Sequence, residues 1–216
     1  MNARRLTPSL LHANAPLDQS SADLHPRADQ MNLGLFIGLI IACVVLLILE
    51  RLGVPTTLRL TFKGDIKRET QYLAQYGQAV CTGVAAMLIW QFDPAHRQYI
   101  FPLIVAVCAS SISAFAVKRI VGRARPNREQ AGKFLGPTWR HDNSRESFPS
   151  SHSACAVALT VALIHVYPQA SESFWTLALA TAGLRYVLDA HWPSDVLGGI
   201  ALGYGVAFAV LRGFGV

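Results

Sequence analysis

Cationic side chains and a histidine lie at the ends of two apolar runs in the second half of the chain. Lys118 and Arg125 are seven positions apart, so they share a face if the helix of the preceding run continues. Arg119 and Arg123 lie nearby, and such a group of cations predicts a site for an anion. His152, in the stretch Pro-Ser-Ser-His-Ser, stands at the mouth of the next apolar run, where its imidazole can exchange a proton with a bound group.

The residues just before His152 carry a helix-start signal. Proline followed by serine before an apolar run predicts Ser150 as the N-cap of the next helix. A helix N-terminus offers free backbone N–H groups and the positive end of the helix dipole, which suit a phosphate. We therefore expect the backbone around Ser150 and Ser151 to complete an anion cradle beside His152.

A third stretch, from Arg185 to Gly199, adds a second histidine and a carboxylate. His191 and Asp195 are four positions apart, so on a helical turn the carboxylate can reach the imidazole. Such a contact fixes the tautomer and makes the other ring nitrogen a better nucleophile or base. Asp189 competes for this role, and the helical spacing favours Asp195. Arg185 is costly near the centre of a bilayer, so we expect it to be paired or functional.

The elements that must position these residues are six apolar runs, which we interpret as transmembrane helices. The chain is 52% hydrophobic and 15% charged, against roughly 25% charged residues in soluble domains. A buried helical core of a soluble protein is the alternative, but the first run is too long and uniform for one. Each stretch alone could be an ordinary helix end at the membrane interface, where Lys and Arg are common. Counting helix passes, however, brings all the candidate residues to one membrane face. The runs span residues 33–49, 79–90, 99–117, 154–167, 174–188 and 196–211.

The chain is predicted to be one membrane domain with a tail. Residues 1–30 are polar and are expected to form a flexible N-terminal tail, and residues 31–216 form the six-helix domain. The four cysteines all fall inside apolar runs, which indicates packing rather than disulfides or a metal cage. Residues 64–78 are predicted to form a polar interfacial helix, with a solvated connector as the alternative.

The three stretches resemble the three signature motifs of the type 2 phosphatidic acid phosphatase superfamily. The matching patterns are Lys118-x6-Arg125-Pro126, then Pro149-Ser150-Ser151-His152, then Arg185-x5-His191-x3-Asp195. The resemblance implies an all-α fold, a six-helix transmembrane bundle of the acid phosphatase/vanadium haloperoxidase type. Two positions depart from the usual motifs. Ser151 replaces a glycine in the second motif, and Leu184 replaces a serine in the third.

The resemblance also implies a mechanism and a set of roles. His191 attacks phosphorus, activated by Asp195, and His152 is the general acid for the leaving group. Phosphate oxygens are bound by three cations and by the backbone at the start of the helix, namely Lys118, Arg125, Arg185, Ser150 and Ser151. No cofactor and no metal are expected, because the cations can neutralise the phosphate and would repel a divalent ion.

The expected function is hydrolysis of a lipid phosphomonoester or pyrophosphate through a phosphohistidine. Phosphatidate, phosphatidylglycerophosphate, undecaprenyl pyrophosphate and lipid A phosphates are all open as substrates, with a prenyl pyrophosphate or a glycerolipid phosphate favoured. A phosphotransferase with an acceptor other than water would use the same residues, and a non-catalytic lipid-binding or transport protein would need only the cations. A haloperoxidase is disfavoured because the site lies in a short membrane chain. The expected partners are the lipid substrate and the bilayer, not nucleic acid.

Arg140, His141 and Arg145 precede His152 in the same polar loop. Cationic and imidazole side chains at this position suggest contact with a second phosphate or with a sugar headgroup of the lipid.

The expected location is a bacterial inner membrane, crossed several times. Thirteen Lys and Arg residues fall on the side of the candidate site and five on the opposite side, which favours a cytoplasmic site. Bacterial lipid phosphatases that this chain resembles usually present the site outward. Because Lys118 and Arg125 are explained by function, we expect a periplasmic site.

Overall fold

A computed structural model describes residues 31–58, 64–126, 128–138, 142, 144–188 and 191–216. Within these ranges the chain forms α-helices and no strand, so the predicted all-α class is confirmed. Short 3₁₀ turns at Pro94–Tyr99 and Pro168–Ala170 lead into the fourth and sixth helices. The helices are α1 Leu33–Arg51, α2 Gly64–Leu73, α3 Ala79–Phe92, α4 Ile100–Val121, α5 Ser151–Val166, α6 Ser171–Val187 and α7 Pro193–Gly213.

Each of the six predicted apolar runs is a helix, and α2 falls in the segment predicted as a polar interfacial helix. Among the described residues, three helical stretches are long and apolar enough to cross a membrane, by length and composition: Leu33–Arg51, Pro94–Val121 and Pro193–Gly213. Helices α3 and α5 are apolar but shorter. The count of six spans therefore stays a prediction. The predicted tail, residues 1–30, lies outside the described residues.

Helix α5 forms the centre of the molecule. Twelve of its sixteen residues are buried. This burial fits its sequence, which is apolar around the whole helix rather than on one face. It packs against α4, α6 and α7, and α1 packs against α7 from outside. Apart from Cys43 and the side chain of Glu50, the residues of α1 are at least partly exposed, so most of its apolar surface lies on the outside of the bundle, as expected of a helix that faces lipid.

Two glycines allow α7 to lie directly against α5. A Cβ added at Gly199 would meet the carbonyl oxygen of Ser150 at 2.4 Å, and one at Gly203 would meet that of Ala154 at 2.1 Å. Small residues spaced four apart let helix backbones approach closely in membrane proteins. This close approach brings the first turn of α7 next to the first turn of α5.

The helix ends at the candidate site are set by local sequence. The Ser150 side chain accepts from the N–H of Ser153, so the predicted N-cap of α5 is confirmed. Pro193 occupies the first turn of α7, where its missing N–H costs nothing. Helix α4 ends at Gly122, whose φ is +58° and where a Cβ would meet the Gly136 carbonyl oxygen at 2.2 Å. Only glycine fits that turn.

Candidate active site

The loop between α4 and α5 is held by backbone hydrogen bonds on two sides of one short segment. On one side, Ala124 N–H donates to the Lys133 carbonyl at 2.9 Å. On the other side, Arg125 N–H donates to the Ser144 carbonyl at 3.0 Å, and Ser147 N–H donates to the Arg123 carbonyl at 3.0 Å. The segment that carries Arg123 and Arg125 is therefore fixed between two neighbouring segments of the same loop.

The structure places all eight predicted site residues at one end of the bundle. A direct link joins two of the elements, because the Ser150 N–H at the start of α5 donates to the Asp195 carbonyl in α7 at 2.9 Å. Lys118 lies in the last turn of α4 and Arg185 in the last turn of α6. The others are Arg125 in the loop after α4, Ser150, Ser151 and His152 at the start of α5, and His191 and Asp195 at the start of α7.

Three cations lie near His152, and two of them, Lys118 and Arg125, also act on His191. Lys118, Arg125 and Arg185, which we call the cation cluster, all act electrostatically on His152, and so does His191. Lys118 is only 8% exposed, and the Nε of Arg185 is buried without a hydrogen bond in the described part of the chain. Buried positive charge with donor capacity to spare suits an anionic ligand.

His191 and Asp195 lie together, as their spacing predicted, but they do not form a hydrogen bond. His191 Nδ1 is 3.6 Å from Asp195 Oδ2, and both side chains are almost fully buried. Nδ1 has no hydrogen-bond partner among the described residues. Such contacts often tighten only when substrate is bound. The competing Asp189 lies outside the described residues.

Burial lowers the pKa of His191 to about 4, because an imidazolium loses its hydration there. Asp195 opposes this change, and the positive charges of Lys118 and Arg125 add to it. The imidazole is therefore neutral near pH 7, which is the form that can act as a nucleophile.

The carboxylate of Asp195 is bound by groups that the sequence analysis did not assign to it. Its Oδ1 accepts from Arg123 Nη1 at 2.6 Å, and its Oδ2 accepts from the Trp192 N–H at 2.9 Å. The Ser147 hydroxyl also donates to Oδ2. These contacts fix the orientation of the carboxylate before any substrate arrives.

Two cations that the sequence placed near the anion site have other contacts. Arg123 is 1% exposed and bonds Asp195 and Glu50, so it supports the carboxylate rather than facing a ligand. Arg119 lies 3.5 Å from Glu146 and over the ring of Phe115. Sequence reasoning missed Glu50 altogether, although a carboxylate at the end of a membrane helix is itself a signal of function.

The two motif departures have different settings. Ser151 is the first residue of α5 and has helical backbone, so the position does not require the positive φ that only glycine adopts easily. Leu184 is half-buried in α6, one residue before Arg185. Nothing in the structure supplies the hydroxyl that a serine would have placed there.

A polar cavity of about 560 Å³ lies in the α4–α5 loop. It adjoins the site, because Ser144 in its wall accepts the backbone N–H of Arg125. Arg145, one of the three loop residues predicted to contact a headgroup, is in the wall and donates to the Leu135 carbonyl at 2.9 Å. Arg140 and His141 lie outside the described residues. The cavity is lined by Ala124, Arg128, Glu129, Gln130, Leu135, Asp142, Ser144 and Arg145.

Comparison with known proteins gives one family and a small set of relatives. The profile of the PAP2 superfamily matches residues 99–215, just over half of the chain. Lipid A 1-phosphatase of Rhizobium johnstonii is 34% identical over 102 residues, which is 47% of this chain and 42% of that protein. The lipid A 1-phosphatase of Rhizobium etli is also 34% identical over 102 residues, covering 47% and 44% of the two chains.

A third relative is named for a different activity. The putative undecaprenyl-diphosphatase YbjG of Escherichia coli is 28% identical over 120 residues, covering 55% of this chain and 59% of that one. The chain thus spans about half the length of the curated relatives it matches. No solved structure matches it significantly.

Proposed function

Because the chain belongs to the PAP2 superfamily, we propose that it is a membrane phosphatase that removes a phosphate or pyrophosphate group from a lipid. The observation that carries this proposal is the meeting of His152 and His191 with the cation cluster at one end of the bundle. If the helices cross the membrane, this end lies at headgroup level, where a lipid phosphate already lies. The names of the relatives, a lipid A 1-phosphatase and a putative undecaprenyl-diphosphatase, support a lipid substrate.

The proposed reaction has two displacements at phosphorus. The ring nitrogen of His191 that faces away from Asp195 attacks, a P–N bond forms and the bond to the lipid oxygen breaks. His152 donates its proton to that oxygen. Water then attacks phosphorus, His152 takes up the proton of the water, and the P–N bond breaks to release phosphate and neutral His191.

The other groups stabilise charge and orientation. The cation cluster binds the phosphoryl oxygens, whose negative charge must be stabilised as the bonds break. The backbone around Ser150 and Ser151, at the positive end of the α5 dipole, binds the same oxygens. When the contact tightens on substrate binding, Asp195 accepts a hydrogen bond from the Nδ1–H of His191, which keeps its proton, and stabilises the positive charge that develops on the ring during attack.

The test is phosphate release by the purified protein in detergent, with EDTA present, from lipid A, undecaprenyl diphosphate and phosphatidate. We expect His191→Ala to lower turnover by about 10³-fold or more, because it removes the nucleophile. We expect His152→Ala to lower it by about 10²–10⁴-fold, because it removes the general acid. Reaction with a 32P-labelled substrate, quenched in alkali, should leave a labelled phosphohistidine on the protein.

The matched control is His165→Ala. His165 lies in the last turn of the same helix as His152, 5.6 Å from the ring of Tyr99, at the opposite end of the bundle. It should retain turnover close to that of the wild type. Full turnover by His191→Ala, or activity that EDTA abolishes and Mg²⁺ restores, would contradict the mechanism.

The loop cavity is the proposed position of the lipid headgroup. Its wall combines guanidinium, carboxylate, amide and hydroxyl groups, which suits a polyhydroxylated or phosphorylated headgroup better than an acyl or prenyl chain. Arg128 is exposed in this wall, and its charge acts on Arg125 of the cation cluster. The proposed substrate is therefore a lipid with a large polar headgroup, such as the phosphorylated sugar of lipid A.

We expect Arg128→Ala to raise KM about 2–5-fold for lipid A and to leave KM for phosphatidate unchanged, as for loss of one exposed ionic contact. Lys133→Ala is the control, because it removes the same charge from an exposed position in the same loop outside the cavity wall. Equal effects of the two substitutions, or equal effects on both lipids, would indicate a general attraction for anions and would reject the headgroup assignment.

A further inference from the structure

A buried guanidinium joins the first helix of the chain to the proposed catalytic carboxylate. Arg123 is the largest fully buried side chain of the described residues. Its Nη1 donates to Asp195 Oδ1 at 2.6 Å, and its Nη2 donates to Glu50 Oε2 at 2.7 Å. The guanidinium carbon also lies 5.1 Å from the centroid of the Trp192 ring and 5.2 Å from that of Phe134.

The side chain of Glu50 is also enclosed. Its side chain is 2% exposed, in the last turn of α1. Besides Arg123, its carboxylate accepts from the Ser194 N–H at 3.2 Å and from the Ser194 hydroxyl. The same hydroxyl accepts from Arg123 Nη1 at 2.7 Å. Within the described part of the chain, the hydrogen-bond donors to this carboxylate are Arg123 and Ser194, in the first turn of α7, and its burial keeps it from binding substrate directly.

The Arg123 guanidinium thus donates hydrogen bonds to two carboxylates. One nitrogen holds Asp195 and the other holds Glu50, and the guanidinium is planar and rigid. Asp195 Oδ1 is thereby fixed, and Oδ2 is left for the Trp192 N–H, the Ser147 hydroxyl and His191. Without Glu50, Asp195 would be the only carboxylate paired with the positive charge of Arg123 among the described residues. That change would weaken the carboxylate as an acceptor for His191.

We propose that Glu50 is a positioning residue for the reaction. Through Arg123, Glu50 holds the carboxylate of Asp195 in the orientation and with the charge that His191 needs. We call these three residues, Glu50, Arg123 and Asp195, the charge relay of the site. The inference rests on the proposed function, because it takes His191 and Asp195 as the catalytic pair. Glu50 lies outside residues 99–215, the part of the chain that the family profile matches.

The test is Glu50→Gln, which keeps the size and shape of the side chain and one of its two acceptor oxygens, but removes its charge. We expect kcat for phosphate release to fall about 10–100-fold, as for other residues that orient a catalytic group, with KM within about 2-fold of the wild type. KM should be conserved because the cation cluster is untouched. The fraction of active molecules is measured by the burst of phosphohistidine, so that misfolded protein does not count as slow enzyme.

Thr160→Val is the matched control for loss of a buried polar contact. Thr160 is fully buried in α5, and its hydroxyl bonds Tyr76 at 2.9 Å and the Phe174 carbonyl at 3.1 Å, away from the relay. The substitution should lower the melting temperature and leave kcat per active molecule unchanged. If Glu50→Gln does not fold, Glu50→Asp keeps the charge and moves it by one methylene. For it we expect a smaller loss of kcat, about 3–10-fold, again at constant KM.

The outcomes separate the relay from the proposed function. Wild-type kcat per active molecule in Glu50→Gln, or in Glu50→Asp where Gln does not fold, would overturn the relay. The relay would also be overturned if Glu50→Gln, like Thr160→Val, changed only the melting temperature. If His191→Ala is inactive in the same assay, such a result rejects only the relay and leaves the proposed function standing. If His191→Ala is fully active, the proposed function itself has failed.

Discussion

The imidazole of His191 is enclosed by charged groups at the active end of the bundle. It is 2% exposed, next to Asp195 and within electrostatic range of Lys118 and Arg125. The spacing of four residues was enough to predict that His191 and Asp195 meet. The 3.6 Å gap between Nδ1 and Oδ2 was beyond the sequence, because it depends on Ser147 and Arg123, which come from a distant loop.

The lowered pKa of His191 gives a prediction about pH. A histidine with a pKa of about 4 stays neutral from pH 8 down to about pH 5, whereas an ordinary histidine with a pKa near 6.5 would be protonated by then. We therefore expect the ring 13C and 15N NMR signals of His191, in histidine-labelled protein in detergent, to stay at neutral-imidazole shifts over that range. Comparison with His191→Gln assigns the signals.

The same shift affects stability in one direction. In the unfolded chain His191 is protonated below about pH 6.5, and in the folded chain only below about pH 4. The stability that neutral His191 contributes is full above pH 6.5 and is lost as pH falls toward 4. A titration midpoint near pH 6.5 in the folded protein would contradict the burial of this ring.

At the scale of helices, the contact between α5 and α7 sets the distance between the two proposed catalytic histidines. Helix α5 begins next to His152, and α7 begins next to His191. Gly203 lies against the Ala154 backbone, where any side chain would need the helices to separate. The hydrophobic pattern predicted both helices, but the pattern is the same whether or not two backbones touch.

We expect Gly203→Ala to destabilise the protein by about 1–3 kcal/mol and to lower phosphate release, because the helices must move apart to admit a methyl group. Thermal unfolding in detergent and turnover measure the two effects. Gly183→Ala is the control, since a Cβ at Gly183 on α6 meets nothing within 4 Å. A Gly203→Ala protein as stable and active as the control would show that this contact is less close than described.

The loop between α4 and α5 shows where prediction from sequence stopped. Its basic residues looked like a single anion-binding group. The loop hydrogen bonds instead turn Arg123 toward Asp195 and Arg145 toward the cavity wall, while Arg125 joins the cation cluster. Charge and spacing in a polar segment do not determine the direction of each side chain. That direction follows from the backbone pairing of residues 122–125 with residues 132–135 and 144–147.

At the scale of the whole molecule, the candidate site residues and Val216 lie at opposite ends. Helix α7 begins beside His191 and runs 21 residues to Gly213, near the chain end at Val216. The count of helix passes predicted that the site residues share one face. It could not predict whether that face is cytoplasmic or periplasmic. The basic residues at this end count toward the positive-inside bias, but some of them are also the proposed phosphate-binding residues.

We expect a reporter fused at Val216 to read as cytoplasmic, because a periplasmic site at the start of α7 puts the end of α7 inside. Alkaline phosphatase and fluorescent-protein fusions measure this, since each is active on one side only. The same reporter fused after Gly53, just beyond α1, serves as the opposite-side control and should read as periplasmic. A periplasmic reading at Val216 would place the site in the cytoplasm, as the positive-charge count favours.

The bond between Glu50 and Arg123 limits how freely parts of such enzymes can be exchanged. A chimaera that takes residues 99–215 from this chain and its first helices from a relative would inherit His152, His191, Asp195 and the cation cluster. It would also inherit Arg123, buried and with Asp195 but without its second carboxylate, unless the donor helix ended in an acidic residue at the position of Glu50. The unit that can be exchanged intact is therefore larger than the segment that the family profile matches, because one buried ion pair extends it to the first helix.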